Sequence, residues 1–172
     1  MSPLTPDVEV DEALVPGAYN AVNVCLRVTP GEKVTVITDE KTCDIGTSIC
    51  REATAIGGLC NFFVLEDFGP RPHTDMPQPI LDDLATSQVS VYAAWGQQGE
   101  LRTRMQMTRV VTDHRLRHGH MININHQIMT DGMRADFNKV DEISTKVWEL
   151  GKKAKTIRTT TKAGTDITAG FS

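Results

Sequence analysis

No apolar run in this 172-residue chain approaches the roughly 18–20 residues that a membrane-spanning helix needs. Residues 1–12 are acidic and proline-containing, with neither a basic stretch nor an apolar segment, so they do not read as a secretory signal. No basic stripe is present and the net charge is −4, which argues against a nucleic-acid partner. No C-x-x-C pair occurs among the four cysteines Cys25, Cys43, Cys50 and Cys60, so a compact zinc module is not indicated. No G-x-G-x-x-G follows the first predicted strand, which leaves a nucleotide cofactor unsupported. No G-x-S-x-G elbow offers a serine nucleophile. These absences predict a soluble cytoplasmic protein whose cysteines are reduced and behave as small buried hydrophobes.

What is present is enough apolar material for a core, at 40% hydrophobic and 23% charged residues. The length suits one ordinary domain or one and a half. Pro16 reads as a first helical residue, followed by Ala18, Ala21, Val22, Cys25 and Leu26 along one helical face. Pro30-Gly31 ends that unit, and Val34–Thr38 (VTVIT) reads as a buried strand. Asp44 is placed to cap a helix carrying Ile45, Ile49, Ala53 and Ile56, which Gly57-Gly58 stops. Asn61–Glu66 (NFFVLE) is a second strand, followed by a proline-rich loop from Asp67 to Pro79.

A short helix at Ile80–Ala85 leads to a third strand, Val89–Trp95. A helix from Leu101 to about His114 follows, and Met121–Ile124 reads as a fourth strand. The alternation predicts an α/β fold: a mostly parallel, Rossmann-like sheet with helices on both faces. Asp136 caps a last amphipathic helix with Phe137, Val140, Ile143, Val147 and Leu150 on its stripe. Beyond it, Thr156–Thr161 and Thr165–Phe171 read as a hairpin, which is marginal alone in water. The expected division is an N-terminal extension over 1–15, the α/β domain over 16–154, and over 155–172 a hairpin that begins a second domain.

Ligands in such sheets gather beyond the carboxyl ends of the strands. Those ends lead into Asp39-Glu40, Glu66-Asp67 and Trp95-Gly96, and Arg102 follows close behind. Asp39, Glu40, Glu66, Asp67, Trp95 and Arg102 are therefore the candidate substrate cleft, with the paired carboxylates suited to acid–base work or to a cation. Solvated acidic loop residues are the plainer reading of the same pattern. His118 and His120 are two apart and would share one side of a strand. With His126 or Asp131 they could hold zinc or iron, although solvated or core-edge histidines near a strand start are the plainer reading. Arg102, Arg104, Arg109, Arg115 and Arg117 form a locally basic stretch, most simply a solvated helix face. Cys43 near a helix start lacks an evident base to make it a nucleophile.

Two segments carry a family resemblance. Leu26-Arg27-Val28-Thr29-Pro30-Gly31-Glu32-Lys33-Val34 joins a helix through a Pro-Gly turn to a first strand. Asp136-Phe137 opens a helix that leads on to Ala163-Gly164-Thr165-Asp166-Ile167-Thr168. Both resemble the aminopeptidase T-like (thermophilic leucyl aminopeptidase) metallo-aminopeptidases, a family that also includes dihydroxypyridine ring-cleaving dioxygenases. In that family a Gly-Thr-Asp-Leu-Thr type run opens the catalytic half.

The resemblance implies that this chain is the non-catalytic N-terminal half of a metal-dependent aminopeptidase, shaping a substrate cleft and a dimer contact. A ring-cleaving non-haem iron dioxygenase and a stand-alone binding or scaffold domain are the alternatives. It further implies a divalent metal (zinc, cobalt or iron) held by Glu, His, Tyr and Asp residues of a C-terminal half, none of which maps onto this chain. The implied partners are that catalytic half or a second copy, and a peptide or small aromatic substrate.

Overall fold

The computed structural model describes residues 8–171. The chain divides into two units, Met1–Ala135 and Asp136–Ser172. In the first, helix α1 (Val15–Tyr19) carries Pro16 in its first turn and continues into a π turn at Asn20–Cys25. The wider winding alters which residues share a face, so Leu26 is buried while Cys25 is exposed. Leu14, assigned by pattern to an N-terminal extension, is wholly buried in the core.

Four strands then alternate with helices: β1 (Lys33–Thr38), α2 (Cys43–Ala55), β2 (Leu59–Val64), α3 (Gln78–Leu84), β3 (Val89–Ala93), α4 (Leu101–Asp113), β4 (Arg117–His120) and α5 (His126–Thr130). All neighbouring strands pair in parallel, in the order β2-β1-β3-β4. The predicted α/β architecture is therefore present. On one face Leu14, Ala18, Val22, Ile45, Ile49, Ala53 and Met129 pack on Val34, Val36, Val89 and Val91. On the other, Ile80, Leu84, Met107 and Val111 pack on Ile37 and Tyr92.

β1 and β3 are the central pair, and both are almost fully buried, which explains their continuous apolar and β-branched sequence. The close seat of α2 requires Gly46, since a Cβ there would stand 2.9 Å from Thr38 Cβ.

Three local expectations are corrected. The fourth strand is Arg117–His120 rather than Met121–Ile124. Asn123 has φ +59°, which breaks the extended backbone, and Ile124 enters the core from the turn that follows. Asp44 does not cap α2. It lies within the first turn, and Asp39 accepts the Thr42 N–H at the preceding 3-10 turn (Glu40–Thr42). Cys50 and Cys60 are joined in a disulfide between α2 and β2, with Cα atoms 5.8 Å apart.

The second unit holds α6 (Phe137–Gly151) and the antiparallel pair β5 (Thr156–Thr160) and β6 (Asp166–Gly170). Asp136 caps α6 by accepting the Lys139 N–H at 3.1 Å. The helix and the hairpin fall in the same unit, Asp136–Ser172. No residue of α6, β5 or β6 is buried, and Val140, Ile143, Val147, Leu150, Ile157 and Ile167 are exposed.

Candidate functional site

Helix α2 follows β1 on one face of the sheet, and α3 and α4 lie on the other. The order β2-β1-β3-β4 therefore reverses between β1 and β3, and the crevice beyond their carboxyl ends is the ligand position of such folds. Here that position is filled by Arg71, from the proline-rich loop. Its side chain is 2% exposed and spreads over four groups. One terminal nitrogen donates to Asp39 Oδ2 at 2.6 Å and reaches Glu66 Oε1 at 3.4 Å. The other donates to the Trp95 carbonyl at 2.6 Å and to Glu100 Oε2 at 2.5 Å, while Nε donates to Glu100 Oε1 at 2.8 Å. The fork-to-fork pairing with Glu100 is the geometry that a guanidinium favours with a carboxylate.

The carboxylates are committed as fully as the arginine. Asp39 also accepts the Trp95 N–H at 2.7 Å, the Thr42 N–H at 2.9 Å and the Thr42 hydroxyl at 2.6 Å. Glu100 also accepts the His73 N–H at 3.1 Å. Burial works to lift the Glu100 carboxyl, but Arg71 and the His73 N–H outweigh it and hold the group below the ordinary carboxylate value. Burial works to lower Arg71, and Glu100 and Asp39 outweigh that and raise it. Both ions therefore stay charged at neutral pH. Tyr92, beside this hub, is pushed up to about 12, chiefly by burial.

Of the predicted cleft residues, the structure brings Asp39, Glu66 and the Trp95 backbone to Arg71. Glu40 joins through its backbone N–H, which donates to Glu66 Oε2 at 3.0 Å. The Trp95 ring carries the Lys41 ammonium 3.3 Å from its centroid. Asp67 is exposed, and Arg102 is turned outward, 73% exposed and paired with Asp75. Sequence reading missed Arg71 and Glu100. The one local sign was a lone arginine between two prolines, Pro70-Arg71-Pro72, in the loop facing the strand ends.

The three predicted histidines do not converge. His118 and His120 lie side by side on β4, with Nε2 of the first 3.3 Å from Nδ1 of the second. His118 Nδ1 is 2.8 Å from the buried Ser90 hydroxyl, and His120 stacks on Tyr92. Burial, with His120 adding, lowers His118 to about 4, while burial and Arg104 lower His120. His126 instead pairs with Asp44 through Nε2 at 2.5 Å. Among the described residues no group of three or more His, Cys, Asp or Glu is arranged to hold a metal.

No protein-family model and no curated protein matches the chain. Among solved structures it is similar to the CurK enoyl reductase, at 12% identity and a TM-score of 0.36, over 81% of this chain and 50% of that one. The chain thus spans about half the length of that protein. No helix is long and apolar enough to cross a membrane among the described residues.

Proposed function

We propose that this chain is a non-catalytic α/β module of a larger metal-dependent aminopeptidase-like enzyme, in which it shapes the substrate cleft and a dimer contact. The observation that carries this reading is the commitment of the strand-end carboxylates. Asp39 and Glu100 each spend their oxygens on Arg71 and on backbone N–H groups, so neither is free to move a proton or take a cation. The machinery a free-standing α/β enzyme would place at the switch point serves here to fix the loops. The uncovered apolar stripe of α6 supports the same reading, because a helix of that pattern is stable against a further layer.

On this reading a metal-binding half would receive the peptide, and its metal would supply the activation of water for hydrolysis. The compartment proposed with it is the cytoplasm. The Cys50–Cys60 disulfide is the feature that points instead to an oxidising environment.

The test compares residues 1–172 with the product of the whole coding frame containing them, each assayed on an aminoacyl amide with zinc or cobalt. Release of the N-terminal residue only by the longer product is the expected result. Turnover by residues 1–172 alone would sink the proposal.

A further inference from the structure

We propose that His118 and His120 form a two-histidine chelate on the edge strand β4 for a borderline divalent metal of the zinc class. The inference does not depend on the function proposed above. Two nitrogen ligands on a tetrahedral ion, with bonds of about 2.0–2.1 Å, sit roughly 3.3–3.4 Å apart. The facing nitrogens, His118 Nε2 and His120 Nδ1, are 3.3 Å apart. The pair is thus spaced as one edge of the coordination tetrahedron before any ion arrives.

The surroundings orient both rings. A metal-bound imidazole characteristically donates its other N–H to a fixed acceptor. His118 has that partner in the Ser90 hydroxyl, 2.8 Å from Nδ1 on a fully buried residue of β3. In the tautomer whose Nδ1–H donates to Ser90, the Nε2 lone pair faces His120. The His120 ring is held by stacking on the buried Tyr92, with ring centroids 5.6 Å apart. His120 is exposed, so an ion can enter from solvent.

Selectivity follows from the donor set, two imidazole nitrogens without a carboxylate. No third His, Cys, Asp or Glu completes a set among the described residues. A hard ion such as magnesium or calcium, which is held by oxygen and negative charge, has nothing to bind. An ion that prefers imidazole accepts the site and keeps water in its open positions.

Calorimetric titration of the 172-residue chain with zinc, repeated with cobalt to read its visible absorption bands, tests this. One zinc per chain is expected. His120→Ala, at an exposed position, should weaken binding at least tenfold. Ser90→Ala should weaken it about tenfold, the cost of losing a ligand's outer partner, and should also shift the cobalt bands. Cys25→Ser and His126→Ala should change nothing. Unaltered affinity in His120→Ala, loss of binding in Cys25→Ser or His126→Ala, or absence of any binding at millimolar zinc would each overturn the proposal. If His118→Ala does not fold, His120→Ala decides the matter alone.

Discussion

Every residue of β3 in the first unit is buried, whereas no residue of β5 or β6 in the second is. The contrast is not one of local sequence quality. Helix α2 presents Ile45, Ile49 and Ala53, and α6 presents Val140, Ile143, Val147 and Leu150, a stripe at least as apolar. Both helices begin next to an aspartate whose carboxylate accepts a backbone N–H, Asp39 before α2 and Asp136 before α6. What differs is the opposing layer. α2 lies on a four-stranded sheet with a further helix beside it, while α6 is accompanied by a two-stranded hairpin that is exposed throughout. Amphipathicity makes a helix, but burial requires a second surface.

The largest expected effect tests what locks the first unit. Arg71→Met removes the only cation in contact with Asp39 and Glu100 among the described ion pairs, leaving two carboxylates 2% exposed without a countercharge. Breaking a buried pair in this way costs about 3–5 kcal/mol. Urea unfolding should show a correspondingly lower midpoint. Retention of the wild-type midpoint would mean that the hub holds nothing together.

Next comes Ile49→Ala, which deletes methylene and methyl groups from the centre of the α2 interface, where Ile49 is 0% exposed. A loss of about 2–5 kcal/mol is expected by the same measurement.

A smaller effect is read through acid. The folded protein holds Glu100 below the ordinary value of 4.5, and the unfolded chain does not. As pH falls from about 4.5 toward the folded value, the unfolded state binds more protons, so stability declines; above 4.5 the contribution is fully present. Glu100→Gln should flatten the dependence of the unfolding midpoint on pH in that window. An unchanged slope would remove Glu100 from the account.

Much of the first unit could be read from composition and period. The β-branched run at Val34–Thr38, the punctuation at Pro30-Gly31 and Gly57-Gly58, and the helix–strand alternation sufficed for a parallel sheet. A parallel sheet in turn brings Asp39, Glu66 and Trp95 to one end. Arg71 was hidden because its main partners lie 32 and 29 residues away, Asp39 upstream and Glu100 downstream, and no local pattern marks such a pairing. Arg117–His120 was missed because an edge strand needs little apolar content: RHGH is half-exposed and lacks β-branched residues. The apolar segment Met121–Ile124 drew the assignment instead, although its Ile124 reaches the core from a turn. The Cys50–Cys60 contact depends on α2 folding back over β2, which ten residues of separation do not announce.

The smallest expected effect completes the comparison. Leu150 is 76% exposed on α6, so Leu150→Ser in residues 1–172 removes little buried surface. Its change in unfolding free energy should stay within about 0.5 kcal/mol, as for surface positions generally. That near-silence has a definite origin: the transfer energy of an apolar side chain is realised only when water is excluded from it. The same substitution in the product of the whole coding frame asks whether a further layer covers the stripe. There a loss of about 2 kcal/mol or more would be the mark of a leucine that has become buried. Equal, negligible effects in both chains would leave α6 a solvent-facing helix and remove one of the supports for a partner half. A large effect already present in residues 1–172 would contradict the contrast between the two units, because it would require Leu150 to be as covered as Ile49.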